Sequence, residues 1–199
     1  MRRFAITHDY LCPFARNAAE VVVRAQEAGA PFQADFRAFS LSQVHLEEDD
    51  PPVWQPGSPP RSGVLALQWG LAVRDELPER FPAVHLALFA ARHDQGRDLN
   101  DPEVLAAAVA SAGIDPAEVE KLVASGQPAA ALAADHTWAV DTSRVFGVPT
   151  FVTDQRAVFV RLMSRPASPE AARATLDRVL AMVEDWPDLN EFKATAIPR

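Results

Sequence analysis

Apolar and polar positions alternate along this chain in ways that separate strands from helices. Arg3-Phe4-Ala5-Ile6-Thr7 has strand character and ends in the polar lead-in His8-Asp9-Tyr10; residues 15–28 follow as an alanine-rich helical run closed by Gly29. After Pro31, Phe32, Ala34, Phe36 and Ala38 alternate with Gln33, Asp35 and Arg37, the period of a half-buried strand. A βαβ unit is thus complete by Phe39, and its two strands are expected to be parallel with a right-handed crossover. Ligands of open α/β sheets gather at the carboxyl ends of the strands, where residue 12 falls.

Residues 49–63 hold too many prolines for a helix or a central strand and read as a loop, either a lid or a plain linker, with Trp54 as its docking point. From Leu65 to about Asp135 the pattern is helical, with Asp101-Pro102-Glu103 and Asp115-Pro116-Ala117-Glu118 as N-terminal caps. A further helix is predicted over 129–146, with Gly147 as its left-handed stop. Two short strands, 150–153 and 157–160, should pair antiparallel across Asp154-Gln155-Arg156. Ser168-Pro169-Glu170 opens a last amphipathic helix to about Asp185, and 188–199 reads as irregular.

Composition narrows the function. The 199 residues, 48% of them apolar, suffice for one core or for one domain carrying a large insertion. A net charge of −8 disfavours nucleic acid and anionic membrane as partners, and no apolar run is long enough to span a bilayer. The chain shows no secretory signal pattern, and one cysteine excludes a disulfide framework; a cytoplasmic location is expected. The excess of arginine, alanine and proline reads as bacterial codon bias.

That one cysteine, Cys12, sits between the first strand and the first helix. Unpaired N–H groups and the positive dipole end at a helix N-terminus favour a thiolate, and Pro13 suits the first helical position. A reactive thiol is the expectation, against the alternative of a buried, inert small side chain. His8, as a proton shuttle or nearby charge, and Arg16, as a cation beside the helix start, are candidate modulators of the thiol; each has a plain structural alternative. Tyr10 is placed either to donate its hydroxyl or to pack the turn. His45, His85, His93 and His136 are scattered without metal-ligand spacing, so no metal is expected. Trp69 and Trp138 fall in helical stretches where core packing is the default. No nucleotide-binding glycine loop and no nucleophile elbow is present.

The order βαβ, helical insertion, Gly147-Val148-Pro149-Thr150, hairpin and terminal helix, with Cys12-Pro13-Phe14-Ala15 after the first strand, resembles the DsbA family of thioredoxin-like proteins. Its relatives include the kappa-class glutathione transferases, the chromene-carboxylate isomerases and the mycothiol-dependent reductases. The resemblance spans nearly the whole chain. It implies an α/β, thioredoxin-like fold (βαβ plus ββα) with a large α-helical insertion: 1–48 and 136–199 as the thioredoxin-like domain, 49–64 as a proline-rich loop and 65–135 as the insertion. It further implies that Pro149 is cis and faces Cys12. Val148, Pro149 and Thr150 would form the substrate- or thiol-binding loop, with Val148 offering its backbone to an extended peptide or thiol cofactor.

Ala15 departs from the family pattern by standing where the resolving cysteine belongs. A mixed disulfide on Cys12 would then be resolved by an outside low-molecular-weight thiol, glutathione or mycothiol. The leading expectation is a monothiol thiol-disulfide oxidoreductase with a depressed Cys12 pKa and no tightly bound cofactor. The alternatives are a glutathione- or mycothiol-dependent transferase or isomerase acting on small hydrophobic electrophiles, and a non-catalytic thioredoxin-like binding module. Expected partners are small thiols or disulfides, with a protein disulfide and a homodimer left open.

Overall fold

Residues 1–191 and 193 are described by a computed structural model. Strand β1 (Arg2–His8) leads through a tight turn into helix α1 (Pro13–Glu27), and β2 (Phe32–Ala38) returns parallel to β1 in register Phe4↔Ala34 and Ile6↔Phe36. The alternation read in 32–38 is realised: Phe36 and Ala38 are buried while Gln33 and Asp35 face out. Two short strands, β3 (Thr150–Val152) and β4 (Ala157–Phe159), pair antiparallel and extend the sheet to the order β2-β1-β3-β4. Strand β1 is thus central, and Ile6 lies opposite Phe151. Phe4 packs on both Phe32 and Phe151, with ring centroids 5.5 and 5.7 Å apart.

Between β2 and β3 the chain is helical. A single turn, α2 (Leu41–Val44), is capped by Ser40, whose hydroxyl accepts from the Gln43 N–H. Then follow α3 (Val64–Glu76), α4 (Phe81–His93), α5 (Pro102–Ser111), α6 (Pro116–Ala124) and α7 (Gln127–Thr137). Asp101 and Asp115 act as caps, accepting from the Glu103 and Ala117 N–H groups, and Pro sits at the first helical position of α5 and α6. The last helix, α8 (Pro169–Asp185), is capped by Ser168 and lies along α1. The irregular tail read over 188–199 lies partly outside the described residues.

One predicted boundary is corrected. The helix expected to run to Phe146 ends nine residues earlier, at Thr137, and passes into a π-helical turn, Trp138–Thr142. Arg144, at φ 54°, takes the left-handed stop expected of Gly147, and the Val145 N–H closes the turn onto the Ala139 carbonyl at 2.9 Å. The physical reason lies in Asp141-Thr142-Ser143: these polar residues offer no apolar face to bury, so nothing rewards another helical turn.

Asp135, on α7, ties the helices to the sheet. Its buried carboxylate accepts from the Ala38 N–H at 2.9 Å and from Arg37 at 3.0 Å, and pairs with Arg74 of α3. The neighbouring His136 accepts from the Ser40 N–H at 3.1 Å and stacks on Phe39. Residues 49–63 carry no helix or strand but are docked. Val53 is buried with its N–H on the Gln43 side chain, Trp54 lies 5.3 Å from the His136 ring, and Arg61 pairs with Asp50.

Candidate active site

Cys12 is the N-cap of α1, with extended backbone (φ −93°, ψ 118°) and Pro13 beginning the helix. The turn before it is closed by the Cys12 N–H donating to the Asp9 carbonyl at 3.0 Å. Asp9 itself is buried, and its two carboxylate oxygens accept from the Leu11 N–H at 2.9 Å and the Leu41 N–H at 2.7 Å. One carboxylate therefore shapes the cysteine turn and fastens it to the start of α2. Gly63, at φ 76°, ends the proline-rich loop directly against the Leu11 side chain, where a Cβ would collide.

The second half of the site arrives from the far end of the helical segment. The Val148–Pro149 bond is cis, and the Cys12 thiol donates to the Val148 carbonyl at 3.3 Å. Thr150 holds this loop on both sides: its N–H donates to the Thr7 hydroxyl at 3.0 Å, and its own hydroxyl donates to the Gly147 carbonyl at 2.7 Å. The Val160 N–H donates to the Pro149 carbonyl at 3.1 Å, which joins the loop to the end of β4. Cys12, Val148, Pro149 and Thr150 are brought together, the arrangement that the family resemblance implies.

The other sequence candidates separate. Phe14 stays at the rim of the thiol, half-buried, and Ala15 is buried at the position of the missing second cysteine. Tyr10 turns into the core, where its hydroxyl meets His85 Nδ1 at 2.9 Å. His8 is buried beside Tyr10 and His85, and desolvation, with Arg74 nearby, lowers its pKa to about 3. It is therefore neutral and contributes no charge to the thiol. Arg16 is engaged with Asp94 and Glu20.

The charged groups that act on Cys12 are Asp9 and Arg161, and sequence reasoning singled out neither. Burial pushes the thiol up from its ordinary value and Asp9 adds to this; the Phe14 and Ala15 N–H groups and the Arg161 guanidinium pull it down. Burial outweighs the helix terminus, so the expected depression is not found. The group rests as a protonated thiol on the Val148 carbonyl, with a cation and two N–H groups in place for the anion. Asp9 is itself raised to about 6 by burial, against its two N–H donors. Arg161 was invisible as a lone arginine in a hairpin exit; only the fold carries it over Phe14, at 5.4 Å from the ring centre.

A cleft of about 570 Å³ lies elsewhere, between the amino-terminal half of β1, the β3–β4 turn and the π-helical turn, lined in part by Trp138, Arg144 and Gln155. It includes none of the residues around the thiol. Among the described residues, no group of three or more His, Cys, Asp or Glu side chains is arranged to hold a metal ion. Among the described residues, no helix is long and apolar enough to cross a membrane.

Residues 6–163 match the model of the DSBA-like thioredoxin domain. Solved structures share the fold at low identity. The cytosolic disulfide reductase DsbM from Pseudomonas aeruginosa, determined with GSH, superposes with a TM-score of 0.64 at 17% identity, covering 89% of this chain and 98% of that one. A probable DsbA oxidoreductase from Streptomyces coelicolor gives 0.62 at 20% identity, covering 98% and 94%. The oxidoreductase NmDsbA1 from N. meningitidis gives 0.59 at 16%, covering 92% and 83%. No curated protein matches significantly.

Proposed function

We propose, for a chain that belongs to the DSBA-like thioredoxin family, that Cys12 alone carries thiol-disulfide exchange and that a low-molecular-weight thiol resolves its mixed disulfide. One observation carries this reading: the only cysteine caps α1 against the carbonyl before cis-Pro149, and a buried alanine occupies the place of a second thiol. The Cys12 thiol first loses its proton to solvent. The thiolate attacks one sulfur of a disulfide RSSR; the Cys12–SR bond forms as the S–S bond breaks, and RS⁻ leaves. A second thiolate then attacks the mixed disulfide and returns Cys12 as thiolate. Each step exchanges one S–S bond for another, so no further oxidant or reductant is needed. The DsbM structure with GSH supports a small thiol of the glutathione kind, mycothiol being the other. Such a cycle suits a reducing compartment such as the cytosol.

The thiol's resting hydrogen bond to Val148 and its raised pKa favour a second reading. In it, Cys12 orients the sulfur of a bound thiol for transfer or isomerisation without becoming disulfide-bonded. Intact-mass measurement after incubation with oxidised glutathione separates the two. Exchange predicts one glutathione adduct on the wild type, its removal by reduced glutathione, and its complete loss in Cys12→Ser. A wild-type thiol that alkylates with iodoacetamide but never takes the adduct would sink the exchange reading and leave the second.

A further inference from the structure

Around the thiol, the arginines are not equivalent. Arg16 and Arg165 both pair with Glu20 and Asp94, forming a network between α1, the end of α4 and the connector after β4. Arg161, on that same connector, has no carboxylate partner among the described residues. It is exposed, with its guanidinium 5.4 Å from the Phe14 ring centre and 5.9 Å from that of Phe159. The connector is pinned on either side of it. The Val160 N–H bonds the Pro149 carbonyl at 3.1 Å, Asn17 donates to the Leu162 carbonyl at 2.8 Å, and Arg165 is held by Glu20 at 2.8 Å. Phe146, 75% exposed and 5.3 Å from Phe159, continues the apolar surface beside the cis-proline loop. A cation with no carboxylate partner among the described residues, on aromatic faces at the mouth of a thiol, in a chain of net charge −8, is a local attraction for anions that the rest of the molecule opposes.

We propose that Arg161 is the carboxylate-binding element of the Cys12 site, and that the small disulfide or thiol taken there is anionic, with a carboxylate within reach of its sulfur. This rests on the exchange reading above and deepens it. Glutathione carries two carboxylates and fits; mycothiol, an uncharged sugar thiol, does not. Arginine's planar fork suits a carboxylate bidentately, and its stacking on Phe14 holds it ready. Phe14 and Phe159 flank the carbon chain between the charged end and the sulfur.

The test compares two disulfides on the full chain: oxidised glutathione and the uncharged bis(2-hydroxyethyl) disulfide. Rates of mixed-disulfide formation on Cys12 are followed by mass at fixed pH and low salt. Because Arg161 is exposed, Arg161→Gln and Arg161→Lys should fold. Arg161→Gln is expected to slow the glutathione reaction about fivefold more than the neutral one, the scale of one exposed ion pair, with Arg161→Lys between. Added salt should shrink the wild-type preference for oxidised glutathione. An equal loss toward both disulfides would mean that Arg161 only tunes the thiol, overturning the carboxylate subsite while leaving exchange intact. No adduct from either disulfide on the wild type would overturn both.

Discussion

Asp9 sets the chemistry of its neighbour more than its own. Its carboxylate is the negative charge facing Cys12, and each of its two oxygens accepts one N–H, from Leu11 and from Leu41. Asp9→Asn is expected to lower the Cys12 pKa, seen as a shift of the alkylation-rate profile to lower pH. An amide has one acceptor oxygen, so one of the two N–H groups loses its partner, and urea unfolding should register a loss of about 1–3 kcal/mol. The conjunction of these results matters: a merely structural role would give the second without the first. At this scale the site divides cleanly into what a sequence displays and what it hides. Cys12-Pro13 is legible because a helix N-terminus is local turn chemistry, whereas Val148-Pro149-Thr150 is legible only through the family resemblance, since the carbonyl it offers meets Cys12 from 136 residues away. Asp9 reads only as part of a polar lead-in, since its value comes from Leu41, and Arg161 gains its meaning from Phe14, far away along the chain.

At the scale of elements, α3 is held against the cysteine turn through Gly70, which faces Tyr10. A Cβ at Gly70 would fall inside the contact distance of the Tyr10 hydroxyl, and that hydroxyl is itself committed to His85. Gly70→Ala should therefore destabilise by about 1–3 kcal/mol despite alanine's better helix propensity. Adding Tyr10→Phe removes the colliding oxygen, so the double variant should lose less than the two single losses together, a negative coupling measurable by a double-mutant cycle. Elements with strong periodicity or explicit caps, such as β2, α5, α6 and α8, are legible in the sequence. The end of α7 is not, because helix length there depends on whether Asp141-Thr142-Ser143 finds anything to pack on. The one-turn α2 is equally hidden: it exists because Asp9 and His136 take up the N–H groups of Leu41 and Ser40.

The whole molecule stores uncharged histidines. Desolvation holds His8 near pKa 3 and His136 near 4, and keeps His85 well below its ordinary value. Above pH 6.5 folded and unfolded chains both carry them neutral, so nothing is gained or lost. Below 6.5 the unfolded chain takes up protons that the folded one refuses, and stability falls. Asp9 acts the other way: with a folded pKa of about 6 against an ordinary 3.8, it adds stability as pH falls between those values. Near pH 5 these four groups should make unfolding take up about two protons net, and the unfolding free energy from urea titrations should drop by roughly 3 kcal/mol per pH unit as pH falls. A flat profile from pH 7 to 4.5 would contradict the burial of these rings. The same architecture has a consequence during synthesis. The thiol and its carbonyl acceptor are 136 residues apart. At typical translation speeds of about 5–20 residues per second, a ribosome needs roughly 7–27 s to make Val148 after Cys12. Throughout that interval the nascent chain presents a cysteine with no second thiol to close upon, open to whatever disulfide the surrounding pool supplies.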